Sequence, residues 1–131
     1  MTESDAVLAA NLDFYRAFTG RDLAAMDAIW ARHATVLCTH PGWTPLVGRE
    51  AVMASWHDIL ANPEAPAVMC HDDTAFLYGA LAVVTCEEEL SGGHLAATHI
   101  FIKEDGAWRL LHHHAGPILA RGTPKPTRPL H

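Results

Sequence analysis

Three turn signals, at Gly79-Ala80, Gly92-Gly93 and Asp105-Gly106, divide the second half of this chain at even intervals. Two-residue turns of this kind join antiparallel neighbours, because their backbone twist matches that of paired strands. The segments between them, near residues 67–77, 81–90, 95–103 and 107–115, are rich in β-branched and apolar residues and read as a four-strand meander. A shorter strand is expected over Thr35-Val-Leu-Cys-Thr-His40, halted by Pro41-Gly42.

The first half has a different period. Val7, Leu8, Leu12, Phe14, Tyr15 and Phe18 recur at helical spacing, with Ser4 or Asp5 as N-cap and Gly20 as a stop. Asp22 caps a second, short helix whose stripe is Leu23, Met26, Ile29 and Trp30. A third opens at Gly48-Arg49-Glu50, carries Val52, Trp56, Ile59 and Leu60 on one face, and ends before Asn62-Pro63. Arg49 would face the positive end of that helix dipole, so solvent exposure is its default. Helices followed by strands are an α+β signature, and a strongly curved sheet wrapped over a helix layer encloses a cavity.

Length and charge narrow the function. With 131 residues, 50% of them hydrophobic, one domain over residues 1–120 is expected, followed by an extended Pro-rich tail over 121–131. No apolar run reaches the ~20 residues of a membrane span, and the acidic start lacks the features of a secretory signal. Residues 1–120 carry six basic against fifteen acidic side chains, a charge of −9, which is the wrong sign for binding nucleic acid. Three cysteines, Cys38, Cys70 and Cys86, make neither a disulfide framework nor a paired metal motif. Their apolar surroundings suggest inert packing, and a cytoplasmic location is expected. Ten histidines are the compositional anomaly, and they point to imidazole chemistry.

Counting back from the Asp105-Gly106 turn pairs Glu104 with Ala107, Phe101 with Leu110 and His99 with His112. The same count across Gly92-Gly93 sets Cys86 opposite His99. One face of the sheet would then carry Val84, Cys86, Glu88, Ala97, His99, Phe101, Trp108, Leu110, His112 and His114, and the other Thr85, Glu87, Thr98, Ile100, Ile102, Arg109, Leu111 and His113. The register at Gly79 leaves open whether Asp72 or Asp73 joins the histidine row. Both faces are largely apolar, so the sheet needs two covers: its own helices and, through the other face, a second copy in a homodimer.

These elements, together with His40-Pro41-Gly42-Trp43, Gly48-Arg49-Glu50, the helix bearing Trp56 and the ending Gly106-Ala-Trp108-Arg-Leu-Leu-His112-His-His114, resemble the nuclear transport factor 2-like superfamily, in particular its SnoaL-like branch. The likeness covers roughly residues 5–119, and the ending also looks like that of kinase association domains. The resemblance implies a cone-shaped α+β barrel of three N-terminal helices on a strongly curved antiparallel sheet. It also implies a usual dimer, with a pocket between the long helix and the concave face. The superfamily spans ketosteroid isomerases, polyketide cyclases, dehydratases and inert association domains, so fold alone does not give function. An isomerase-like oxyanion clamp would have only Tyr15, Tyr78, Asp72 and Asp73 to draw on, and none sits in a recognisable motif.

The candidate catalytic residues are therefore His99, His112, His114, Asp72 and Asp73, with a neutral imidazole as proton acceptor. The same residues can also be a hydrogen-bonded pocket wall, or a zinc site completed by Cys86 or an acid. No metal is assigned, because no short ligand spacing supports one. Substrate-binding candidates are His40, Trp43, Trp56, Cys86 and Phe101. Trp43 belongs either to the rim of the cone or to its seal, and Trp56 to the core face of the third helix. Glu88 points with the histidine row and could orient an imidazole, although near a hairpin end such a residue is more often a solvated edge charge. The expected function is a pocket for a small organic ligand, with cofactor-independent proton-transfer chemistry (isomerisation, cyclisation or dehydration) on a small apolar carbonyl compound. A noncatalytic binding or association domain is the alternative. No Gly-rich phosphate loop follows a strand, so neither NAD nor ATP is expected as a cofactor.

Overall fold

In a computed structural model of the chain, which describes residues 1–122, the first helix starts two or three residues earlier than the sequence pattern suggests. Thr2 caps α1 (Glu3–Thr19) through a reciprocal box with Asp5. Asp22 caps α2 (Leu23–Ile29), which stops before the expected end near His33, and α3 spans Arg49–Ala61. The strands are β1 (Leu37–Thr39), β2 (Leu46–Val47), β3 (Met69–Tyr78), β4 (Leu81–Leu90), β5 (Gly93–Glu104) and β6 (Ala107–Pro117). Among the described residues no helix is long and apolar enough to cross a membrane. Residues 123–131 of the expected tail lie outside the described residues.

Two features correct the expected sheet. It is mixed, because β1 pairs parallel to β6, and β2 adds a further antiparallel edge to β1. It is also not closed into a barrel: the order is β2-β1-β6-β5-β4-β3, and the outer strands do not meet. The sheet curls into a cone instead. The concave side, carrying Ala82, Val84, Ala97, Phe101 and Leu110, is buried under Val7, Phe14 and Tyr15 of α1 and Trp56 of α3.

Two charged side chains tie α2 and the segment after it to the rest of the fold, Arg49 to α3 and Glu104 to the sheet. Arg49 is not a solvated surface cation. Its guanidinium donates to the carbonyls of Asp27, Trp30 and Ala31 and pairs with the Asp27 carboxylate at 2.9 Å. It thus meets the negative end of α2, which offsets its position at the start of α3. Glu104, only 8% exposed, accepts three backbone N–H bonds of 2.8–3.0 Å from Arg32, His33 and Ala34 and ties the segment after α2 to the end of β5. Burial opposes its ionisation, but these N–H groups outweigh that effect and hold its carboxyl below the ordinary range. Glu104→Gln keeps the shape but removes the charge from three donors, so it should cost about 1–3 kcal/mol in urea unfolding, with the loss shrinking at low pH as the wild-type carboxylate protonates.

Candidate functional site

The register at the Asp105-Gly106 turn is as expected up to one point. Glu104 pairs with Ala107 and Phe101 with Leu110, but Ile100 then pairs with His112 and His99 with His113. Leu111 is an extra residue on β6, a bulge that reverses the faces of everything after it. His113 therefore points into the cone and is 1% exposed, whereas His112 and His114 lie on the outer face with ring centroids 6.0 Å apart. Their expected inward placement is corrected by that one residue. Across the β4–β5 turn Cys86 pairs with Ala97 and Val84 with His99, two residues from the expected register. An even shift keeps Cys86 and His99 on the same face.

A second bulge settles the choice between the aspartates against both. Between His71 and Thr74 two residues of β3 oppose Cys86 alone, and Asp72 takes a left-handed φ of 57°. Asp72 and Asp73 are both exposed there.

Inside the cone a polar network crosses an apolar core. Asn11 and Tyr15 are one turn apart on the buried face of α1. Asn11 Oδ1 lies 2.6 Å from His99 Nδ1, and His99 Nε2 lies 2.7 Å from His113 Nδ1. An amide oxygen only accepts, so the network assigns the proton to His99 Nδ1. His99 Nε2 then accepts from His113 Nδ1–H, which leaves His113 Nε2 as a bare lone pair. Tyr15 donates to Glu88 Oε2 at 2.6 Å and touches Cys86 Sγ at 3.2 Å. Glu88 is 2% exposed, the reverse of a solvated edge charge.

Burial sets the protonation of these groups. Desolvation, helped by the charge of His112, pushes His99 down to about 3, and His113 is held well below its ordinary value by desolvation and four neighbouring imidazoles. His40, buried beside Ser55 (Nε2 to Oγ 2.8 Å), is lowered to about 4. Desolvation raises Glu88, although the Tyr15 hydrogen bond works against it, and it raises the Tyr15 phenol further.

A cavity of about 220 Å³ opens onto this network. Glu88 and His113 are among its polar lining groups, Phe18, Ile59 and Leu95 are among its apolar walls, and among the described residues no lysine or arginine lines it. His40 and Trp43 also line it. Trp43 is 47% exposed and sits edge-on to His40 at 4.9 Å, a rim residue rather than a seal. Trp56 is fully buried against Phe14, His40 and His113. Phe101 lies behind His99, in the core. Cys86 touches the network through Tyr15 and does not line this cavity.

Ligand atoms of Glu88, His99 and His113 lie within 4.8 Å of one another, a spacing at which a metal can be considered. The 2.7 Å contact between the two imidazoles argues otherwise. Two nitrogens bound to one tetrahedral zinc at ~2.0–2.1 Å stand about 3.3 Å apart, so this contact fits a shared proton.

The profile of the SnoaL-like domain matches residues 7–120. The chain belongs to this family. Among solved structures, the SnoaL-like chain is similar to a candidate dehydratase of the NTF2-like family from Streptomyces avermitilis, at 31% identity and TM-score 0.81 over 88% of this chain and 96% of that one. It is also similar to a candidate calcium/calmodulin-dependent protein kinase type II association domain from Thiobacillus denitrificans, at 30% identity and TM-score 0.76 over 85% and 94%. The F-box protein SKIP8 of Arabidopsis thaliana is 26% identical over 116 residues, which are 87% of this chain and 50% of that protein. The chain thus spans about half the length of the curated relative it matches.

Asn11 and His113 are the residues that sequence reasoning left out of the site, and Tyr15 enters it there only as an oxyanion-clamp substitute. A signal existed for Asn11, an amide on the apolar stripe of α1, and for the bulge, because Leu110-Leu111 breaks the alternation of β6. The three buried imidazoles are neutral in the folded chain and take up protons near 6.5 once it unfolds, so their contribution to stability is full above that pH and falls as the pH drops, until His40 protonates in place at about 4 and His99 at about 3. Urea unfolding should lose up to about 4 kcal/mol per pH unit below pH 6, and His113→Phe should make that slope shallower by roughly a third.

Proposed function

We propose that this SnoaL-like protein is a small-molecule pocket protein that catalyses cofactor-independent proton transfer on a compact, neutral carbonyl compound. One observation carries the reading: His113, whose Nε2 the network leaves as a bare lone pair, and the buried carboxyl of Glu88 line the same apolar cavity. A cavity of about 150 Å³ holds benzene, so about 220 Å³ suits one substituted ring. The described lining, mostly apolar, suits a ligand without charge.

The chemistry follows from the protonation states. His113 Nε2 removes a proton from the carbon next to the carbonyl, and the C–H electrons form the enol double bond. Glu88, kept protonated by burial, gives its proton to the carbonyl oxygen through Oε1, the oxygen that Tyr15 does not occupy. Neither half would be favourable alone, since a lone imidazolium or carboxylate is poorly solvated here. Formed together they are each other's counter-ion, and the Tyr15 hydroxyl steadies the carboxylate. Return of the proton to another carbon gives isomerisation, and loss of a hydroxyl as water gives dehydration.

The test is deuterium uptake by one-ring enones and aryl ketones in heavy water, followed by NMR. The protein should speed exchange for at least one of them. His113→Ala should lower that rate by about 100-fold or more, while His112→Ala leaves it unchanged. The rate should fall as pH rises through the elevated Glu88 ionisation, since only the protonated acid donates, and Glu88→Gln should abolish that limb. Compounds that bind without exchange, or full exchange in His113→Ala, would sink the enzymatic reading.

A specific observation supports a second, compatible reading, self-association through the outer sheet face. Phe76, Tyr78 and Leu81 expose 45%, 64% and 39% of their surface there, and Ile100 and Ile102 are only half-buried. Similarity to an association domain agrees with this. If the chain is a homodimer through this face, Phe76→Lys with Tyr78→Lys should shift its sedimentation to that of a monomer without moving the unfolding of the monomer itself.

A further inference from the structure

The thiols at the other end of the network have a use that inert packing does not explain. Asn11 and Tyr15, successive partners on α1, each touch a different one: Asn11 Nδ2 lies 3.8 Å from Cys70 Sγ, and Tyr15 Oη 3.2 Å from Cys86 Sγ. Side chains four residues apart on a helix stand about 5–6 Å apart at Cβ, so the two thiols lie under neighbouring positions of α1. The sheet brings them together independently. Cys70 pairs with Glu88, two residues from Cys86 on the same face of β4, next to the bulge at Asp72 and Asp73. The two thiols are therefore diagonal neighbours on one face of adjacent strands.

Their access differs. Cys86 is 9% exposed, whereas Cys70 is half-buried and lines a separate groove of about 370 Å³ between α1 and β3, beside Leu12, Arg16 and Thr19. The third cysteine, Cys38, is fully buried next to His40 on the far strand β1.

We propose that Cys70 and Cys86 form an oxidation site, a thiol pair that low-molecular-weight disulfides convert to an intramolecular disulfide, with Cys70 as the point of entry and Cys86 as the resolving sulfur. In the first step Cys70 Sγ bonds to one sulfur of the small disulfide. The other half leaves as a thiolate and takes the Cys70 proton. Cys86 Sγ then attacks Cys70 Sγ, and the second half leaves with the Cys86 proton. The pair gives up two electrons and two protons, and the small disulfide becomes two thiols.

The division of labour follows access: the sulfur in the groove meets the small disulfide first, and the enclosed one closes the bond. Contact with Cys86 and burial push the Cys70 thiol up, so its attack needs mildly alkaline pH and an excess of the small disulfide. Oxidation also removes the Cys86 thiol from Tyr15 and so alters the hydroxyl that holds Glu88. That consequence for the cavity rests on the acid–base reading above; the disulfide itself does not.

The probe is oxidised glutathione, added in excess to the reduced full chain at mildly alkaline pH, with alkylation under denaturing conditions and intact mass as readouts. Alkylatable thiols should fall from three to one, leaving Cys38, with a mass loss of two hydrogens and a cross-linked peptide joining Cys70 to Cys86. Cys86→Ser should instead accumulate a glutathione adduct at Cys70, and Cys70→Ser should remain unmodified. Three alkylatable thiols at equilibrium, a persistent adduct in the wild type, a bond involving Cys38, or no adduct in Cys86→Ser would overturn the proposal. None of these readouts uses turnover, so a failure of the acid–base chemistry would show in the deuterium assay and leave the thiol count untouched.

Discussion

A buried polar group must find a partner, and in this protein one helix supplies the partners for a whole sheet face. Without Asn11, the His99–His113 pair would have no fixed direction, since either ring could donate. Without Tyr15, the Glu88 carboxyl would sit in the apolar interior with no hydrogen bond at Oε2. The packing of α1 on the concave sheet therefore does more than bury Val7 and Phe14. It decides which His113 nitrogen is left without a partner and which Glu88 oxygen Tyr15 leaves free.

The same network explains why the site combines imidazoles with low basicity and a carboxyl that resists ionisation. Both shifts have the same leading cause, the loss of water around a potential charge. Groups that are neutral at rest suit a transfer in which acid and base act together, and they suit a ligand without charge. Arg49 and Glu104, the two half-hidden ions, are handled differently. Each is surrounded by backbone groups of opposite polarity, so they fasten elements and take no part in the cavity.

Much of this was legible in the residues. The turn signals gave the meander, and the stripes gave all three helices. The alternation of β4 and β5 gave the inward set Val84, Cys86, Glu88, Ala97, His99 and Phe101, even though the expected turn was off by two residues, because an even error preserves the face. The inward histidine of β6 was not legible in the same way. Leu111 shifts the count by one, and an odd error exchanges His112 and His114 for His113. Asp72 and Asp73 escaped for the same reason, since a bulge on β3 takes both out of the alternation.

By itself the sequence determined the element types, their order, the apolar faces and the presence of an imidazole-rich last strand, since these depend on local periodicity and turn chemistry. Only the tertiary structure decided which imidazole meets which, that Glu88 is enclosed, that Asn11 orients His99, and that β1 joins the sheet parallel to β6. Those outcomes depend on bulges and on long-range packing, where the cost of leaving a polar atom unpartnered is weighed across strands far apart in the chain, and no local pattern records that balance.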